Sequence, residues 1–164
     1  MSGRRIQQGG RVDRSRAIRF TFDGKGYSGF AGDTLASALL ANGVQVFGRS
    51  FKYHRPRGVI AAGSEEPNAL VTVMRDEARR TPNLRATQVE LYEGLVARSQ
   101  NRWPSLDFDV QAVNDLLSPL LPSAFYYKTF MWPRVAWHKL YEPVIRRAAG
   151  LGESPTLPDP DRYS

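Results

Sequence analysis

A basic and aromatic stretch near residue 50 carries the residue types best suited to chemistry. It reads Arg49-Ser-Phe-Lys-Tyr-His-Arg-Pro-Arg-Gly58. Lysine and arginine can offset the charge of a phosphate-bearing ligand, and tyrosine and histidine can pack against a ring. The stretch therefore supplies candidate contacts to a cofactor or a neighbouring protein surface: Lys52, Tyr53, His54, Arg55 and Arg57. The alternative is that these residues pair with carboxylates of the same chain, such as Glu65 and Glu66.

Other chemistry-bearing residues are few. The chain has no cysteine, which excludes disulfides, thiol catalysis and cysteine-held iron–sulfur clusters. His54 and His138 are the two histidines, and the carboxylates are scattered. Acid–base catalysis needs paired groups in one cleft. The sequence therefore predicts no catalytic residue and no metal site, and argues against an enzyme that acts alone.

The positive charge is concentrated in the first third of the chain. Residues 1–57 hold eleven Lys/Arg against three Asp, whereas residues 58–164 hold twelve Lys/Arg against thirteen Asp/Glu. This imbalance suggests a polyanion, a phosphate-bearing ligand or an acidic partner, so a nucleic-acid-binding module is the alternative function. The basic arm at 1–16, which we expect to be mobile, has no aromatic residue for base stacking, so a nucleic-acid partner is not favoured.

No apolar run approaches the roughly 18–20 residues that span a bilayer. The N-terminal arginines are not followed by a hydrophobic segment, so neither a secretory nor a twin-arginine signal is predicted. We expect a cytoplasmic protein without membrane contact.

The elements that position the basic stretch begin with a hairpin at residues 17–30. Apolar and polar residues alternate on both sides of Asp23-Gly24, a tight-turn pair. The same segment contains Gly24-Lys-Gly26-Tyr-Ser-Gly29, which has the G-x-G-x-x-G form of a dinucleotide loop. A dinucleotide loop leads directly into a helix, whereas these glycines lie in a hairpin, so the hairpin is favoured.

A short helix is predicted to follow. Asp33 or Thr34 can cap its N-terminus, and Asn42-Gly43 ends it. The pattern then suggests a strand at 44–47, the basic loop, a strand at 69–74, a break at 76–83 and another strand at 86–92.

Residues 94–152 are predicted to form a helical, aromatic-rich extension. Residues 110–117 favour a helix that starts near Asp107 or Asp109, and an amphipathic helix opens at Pro133. The aromatic segment 125–132 forms either a second core or a docking face. Its candidate interface residues are Tyr126, Tyr127, Lys128 and Trp132. We expect the three tryptophans of the chain, Trp103, Trp132 and Trp137, to be at least partly buried. Residues 153–164 read as a linker.

The order of elements predicts an α+β chain with a β-grasp domain at 17–93, as in plant-type ferredoxins. In that fold the loop after the helix carries the cluster cysteines, and the basic stretch here is the matching loop without them.

The chain resembles the N-terminal region of the α subunit of heterotetrameric sarcosine oxidases over nearly all of residues 17–164. The strings that carry the resemblance are Phe51-Lys-Tyr-His-Arg-Pro-Arg-Gly58, Ala62-Gly-Ser-Glu-Glu-Pro-Asn-Ala-Leu-Val71, Ser99-Gln-Asn-Arg-Trp-Pro-Ser105, Ala112-Val-Asn-Asp115, Phe125-Tyr-Tyr-Lys-Thr-Phe-Met-Trp-Pro133 and Leu140-Tyr-Glu-Pro-Val-Ile-Arg-Arg-Ala-Ala-Gly150.

The resemblance implies a role in the oxidative demethylation of sarcosine to glycine, with formaldehyde or methylene-tetrahydrofolate and hydrogen peroxide as further products. It implies FAD, FMN, NAD and tetrahydrofolate in the whole enzyme, and β, γ and δ subunits as partners beside the rest of the α subunit. We expect this chain to be a fragment that leads into a dinucleotide-binding domain. We expect it to bind no cofactor and to catalyse nothing alone, and to serve as a structural and docking part.

Overall fold

In the computed structural model, the structure describes residues 5–6, 8–76, 78–116 and 142–143. The predictions for the aromatic segment 125–132, the helix from residue 133 and the linker 153–164 lie outside these residues, as do Tyr126, Tyr127, Lys128 and Trp132.

The predicted hairpin is confirmed. Strand β1 (Asp13–Phe22) pairs antiparallel with β2 (Lys25–Ala31). Asp23 and Gly24 connect the strands with φ angles of 50° and 79°, the left-handed geometry of a tight hairpin turn. The glycine-rich segment therefore belongs to a turn and a return strand, and no helix starts there.

Helix α1 (Leu35–Ala41) begins and ends where the sequence predicts. The Thr34 side chain accepts a hydrogen bond from the backbone N–H of Ser37, and the Ser37 hydroxyl accepts one from the N–H of Thr34, which is a reciprocal capping box. Asn42 caps the C-terminus, and Gly43 follows with a φ of 84°. The apolar face of the helix packs into the core beneath the sheet.

Five strands form one mixed sheet in the order β2-β1-β7-β5-β6. Its remaining members are β5 (Leu70–Met74), β6 (Arg80–Arg85) and β7 (Leu95–Ser99). Strand β7 runs parallel to β1 and antiparallel to β5, which places it at the centre of the sheet. This mixed sheet with few helices is consistent with the ferredoxin-like β-grasp that the element order predicts. A separate two-stranded ribbon joins β3 (Gly48–Arg49) to β4 (Pro56–Arg57) and frames the basic loop.

Two strand predictions and one predicted break are wrong. Residues 44–47 form no strand in the part of the chain described, and the predicted break at 76–83 contains the start of β6. Residues 86–92 are a turn and an isolated bridge instead of a strand. The side chains of Ala86 and Leu91 are buried in the core next to the helix. This segment therefore has the apolar pattern of a strand but does not pair with another strand.

Two predicted boundaries differ from the structure. Strand β1 starts at Asp13, so the arm predicted for residues 1–16 ends before that residue. Strand β7 lies beyond residue 93, so the sheet extends past the predicted end of the β-grasp domain.

After β7 the chain crosses to the basic loop. It forms a 3-10 turn (Val110–Ala112) and the short helix α2 (Val113–Leu116), near the helix predicted at 110–117. Trp103 is 59% exposed, so it is buried only in part. No helix within the described ranges is long and apolar enough to cross a membrane.

Candidate functional site

The basic loop is a closed turn between β3 and β4. The backbone N–H of Ser50 donates to the carbonyl of Arg55 (2.9 Å), and the N–H of His54 donates to the carbonyl of Ser50 (2.9 Å). The N–H of Arg55 also donates to the Ser50 hydroxyl (3.0 Å). His54 has a φ of 53°, and in this left-handed turn its ring is buried, whereas Tyr53 is half-buried and Arg55 is exposed.

His54 is buried against a carboxylate that is distant in sequence. Its Nδ1 lies 2.8 Å from Oδ2 of Asp109, and the Nε of Arg49 lies 3.3 Å from the same oxygen. The Arg49 guanidinium also donates to the carbonyls of His54 (2.7 Å) and Leu106 (2.6 Å). Because the His54 ring and the Asp109 carboxylate are both buried, this trio braces the loop and offers no open catalytic base.

The second oxygen of Asp109 organises the segment that packs on the loop. It accepts the backbone N–H of Trp103 (3.2 Å) and of Gln111 (3.0 Å). The sequence identified Asp109 only as a possible helix start, and the Gln111 contact confirms that part. Its link to His54 was missed, since no pattern joins residues 55 positions apart.

The outward residues of the loop form a positively charged aromatic cluster. The Tyr53 ring centroid lies 4.8 Å from Nζ of Lys52 and 4.8 Å from Cζ of Arg55. These distances are within cation–π range. Arg55 also donates to Asp115 of α2 (2.6 Å). We call Lys52, Tyr53 and Arg55 the cationic cluster.

Arg57 has a partner of its own, outside the cationic cluster. Its guanidinium donates to the side-chain oxygen of Asn68 (2.8 Å). The alternative that the basic residues pair with carboxylates of the same chain therefore holds for Arg55, but its partner is Asp115 and neither Glu65 nor Glu66. Arg57 binds a neutral amide. An open cavity of about 500 Å³ lies beside Arg57, between the ribbon and β5, and its polar lining includes Ser50, Asn68, Asn83 and Asn101.

Glu66 is buried and organises the loop between β4 and β5. Its Oε2 accepts the backbone N–H groups of Ile60 (2.7 Å) and Ala61 (2.6 Å). Its Oε1 accepts those of Asn68 (2.7 Å) and Ala69 (3.2 Å). Burial alone would raise the pKa of Glu66, but the four N–H donors outweigh it and hold that pKa below its ordinary value. Glu66 is therefore an ionised, internal anchor, which the sequence did not indicate.

A second anchored carboxylate holds the N-terminal segment. Both oxygens of Asp33 accept from the Arg5 guanidinium, at 2.9 and 2.7 Å, and the Arg5 Cζ lies 5.4 Å from the Phe30 ring centroid. Asp33 also accepts from the Ser37 hydroxyl (2.7 Å) and the Phe30 N–H (2.9 Å). At least this arginine of the basic arm is engaged by the chain itself.

Beside the cationic cluster lies an exposed hydrophobic surface. Large apolar side chains that are 45–80% exposed follow one another in the 103–116 segment. We call this group the apolar surface: Trp103, Phe108, Val110, Val113 and Leu116. Monomeric proteins seldom leave such a run of large apolar residues uncovered, and such patches mark interaction sites.

The described residues hold no group of three or more His, Cys, Asp or Glu arranged to bind a metal ion. The buried contacts of His54, Asp109 and Arg49 thus support the basic loop from inside. The cationic cluster and the apolar surface lie on the outside. This arrangement suits contact with another protein surface.

Comparison with known proteins places the chain in context. Residues 15–102 match the family described as 2Fe-2S iron-sulfur cluster binding domain. Sarcosine oxidase subunit alpha of Rhizobium meliloti (strain 1021) is 65% identical over 163 residues, which are 99% of this chain and 16% of the relative. The subunits of the same description from Corynebacterium sp. strains U-96 and P-1 are 48% and 53% identical over 54% and 45% of this chain. The chain spans 16%, 9% and 7% of the lengths of these three curated relatives.

Among solved structures, the crystal structure of L-proline dehydrogenase from P. horikoshii is similar with a TM-score of 0.44 and 25% identity. That similarity covers 54% of this chain and 16% of the dehydrogenase chain.

Proposed function

We propose that this chain, which belongs to the family of 2Fe-2S iron–sulfur cluster binding domains, is a docking domain of a sarcosine oxidase α subunit. In this proposal the domain holds no cluster. The match to the Rhizobium meliloti subunit along 99% of the chain supports this assignment. The chain has no cysteine to hold an iron–sulfur cluster, so electron transfer by such a cluster is not part of the proposal.

The apolar surface is the observation that carries the docking role. Phe108 and Leu116 are 68% and 80% exposed, whereas core residues of the sheet such as Phe20 and Val71 are 3% and 0% exposed. Covering such side chains removes apolar area from water at about 25 cal/mol per Å². The proposed occupant is the rest of the α subunit, because the segment matched in the relative is only 16% of that subunit.

The cationic cluster supplies the rim of the proposed interface. It lies beside the apolar surface, to which the hydrogen bond between Arg55 and Asp115 joins it. An apolar centre with a charged rim is the usual anatomy of a protein interface. The surface that covers it would therefore be apolar at its centre and polar where it meets Lys52 and Arg55.

The whole enzyme supplies the chemistry under this proposal. The reaction is the oxidative demethylation of sarcosine, with FAD, FMN, NAD and tetrahydrofolate bound by other parts of the α subunit and by the β subunit. The γ and δ subunits complete the assembly, and its location is the cytoplasm. The cationic cluster and Arg57 contact the covering surface or the phosphate groups of a cofactor beside it.

The test is assembly of the whole oxidase with a polar residue in the apolar surface. Phe108→Ser and Leu116→Ser should lower the yield of intact oxidase in size-exclusion chromatography. Neither should change the folding of the sheet, because both side chains are exposed. Ile60→Ser is the matched control, since Ile60 is 73% exposed but lies outside the apolar surface. Normal assembly of both variants would refute the docking role.

A further inference from the structure

We infer that the Glu66 carboxylate takes the place of an anionic iron–sulfur cluster in the loop between β4 and β5. It is the acceptor to which the backbone N–H groups of that loop donate. The family description names a 2Fe-2S cluster, and the residues of this chain do not fit one. The loop nevertheless needs an internal partner for its backbone donors, because buried N–H groups are almost always paired. Glu66 is that partner.

The backbone N–H groups of the loop form an anion-binding site that is filled by a side chain of the same loop. Four N–H groups from both sides of the loop converge on one buried carboxylate: Ile60, Ala61, Asn68 and Ala69. Concave arrangements of backbone N–H groups bind anions, and they recur around phosphates and iron–sulfur clusters. Here the anion is a side chain of the loop itself, so the loop closes without a ligand.

Glu66 has no capacity left for a metal ion. An ionised carboxylate offers about four lone-pair sites on its two oxygens. Each oxygen of Glu66 already accepts two N–H groups, at distances from 2.6 to 3.2 Å. A metal could bind this carboxylate only by displacing the donors that hold the loop.

The same anchor connects the loop to its surroundings. The backbone carbonyl of Glu66 accepts from the Arg85 guanidinium of β6 (3.1 Å), and the carbonyl of Gly63 accepts from the Thr87 hydroxyl (2.9 Å). Asn68, whose N–H binds Glu66, accepts from Arg57 of β4 through its side chain. Loss of the carboxylate charge should therefore loosen the ribbon as well as the loop.

The test measures amide hydrogen exchange by NMR in the metal-free 164-residue chain, for the native sequence and for Glu66→Gln. The glutamine keeps the shape, but its NH2 group faces two of the four donors. We expect the amides of residues 60, 61, 68 and 69 to exchange at least about tenfold faster in the variant, with β1 unaffected. Glu65→Gln is the matched control. The neighbouring Glu65 is exposed and accepts one N–H, that of Gly63 (3.2 Å).

A second measurement does not depend on any variant. The native chain is incubated with iron and sulfide under reducing, oxygen-free conditions, and its visible absorption and its amide exchange are recorded. We expect no cluster absorption, and the same protection of the four amides as in the metal-free chain. Either a stoichiometric cluster, protection that appears only with iron, or unchanged exchange in Glu66→Gln would overturn the inference.

Discussion

The Nδ1 atom of His54 lies 2.8 Å from the Oδ2 atom of Asp109, and both side chains are buried. This contact joins the basic loop after α1 to the segment after β7. It also sets the two faces of the loop, because the turn that buries His54 leaves Arg55 exposed and Tyr53 half-buried. The cationic cluster and the apolar surface thus share one internal support.

Asp109→Asn should destabilise the chain by about 2–4 kcal/mol, because the buried amide cannot accept from all the partners of the carboxylate and leaves Arg49 without its counter-charge. Urea unfolding monitored by circular dichroism measures this change. Asp107→Asn, an exposed aspartate two positions away, should change stability by less than about 0.5 kcal/mol. Equal effects of the two substitutions would contradict the supporting role of Asp109.

Acid should remove a defined part of the stability. Burial alone would raise the pKa of Asp33, but the hydrogen bonds from Arg5, Phe30 and Ser37 outweigh it and lower that pKa. Because a lowered folded-state pKa stabilises the ionised form, this contribution is fully present above about pH 5 and is lost as the pH falls further. The difference in unfolding free energy between the native chain and Asp33→Asn should therefore shrink as the pH is lowered from about 6 to about 3. A difference that stays constant would count against the ion pair as its source.

Gly29→Ala should cost about 1–3 kcal/mol, because the added Cβ would lie 2.5 Å from Cδ2 of Leu91 and 2.9 Å from Cβ of Ala38. Gly26→Ala is the control in the same strand, since a Cβ there meets nothing within 4 Å. Thermal unfolding should separate the two variants clearly. Similar midpoints would show that helix α1 packs less closely on β2 than the structure indicates.

The ion pair between Arg55 and Asp115 should contribute little by itself. Its side chains are 52% and 46% exposed, and exposed pairs are worth about 0.2–1 kcal/mol. A double-mutant cycle with Arg55→Ala and Asp115→Ala should therefore give a coupling energy in that range. A coupling several times larger would mean that this contact, and not the buried Asp109, fixes α2 to the loop.

Local signals in the sequence were sufficient for the hairpin and the helix. The turn pair Asp23-Gly24 and the cap Thr34 act within a few residues of where they stand, so their chemistry can be read directly. Strand β6 was missed because Pro82 and Asn83 resemble a break. In the structure β6 is an edge strand of the described sheet, where a proline that lacks an N–H is tolerated.

The buried polar contacts could not be predicted in the same way. The partner of His54 is 55 positions away, and Glu66 binds backbone groups that carry no residue signature. The cationic side chains of the loop were predicted by residue type as interface or cofactor contacts, and that role stays a prediction. Their partners depended on the path of the chain after β7, which no local pattern encodes.

The most direct test of the docking role is hydrogen–deuterium exchange on the 164-residue chain, alone and with the remainder of the α subunit added as a separate polypeptide. We predict that exchange across residues 103–116 slows by at least about tenfold when the remainder is added, because the apolar surface is covered. The edge strand β6 serves as the internal reference and should not change. Unaltered exchange at 103–116 in the presence of the remainder would contradict the account.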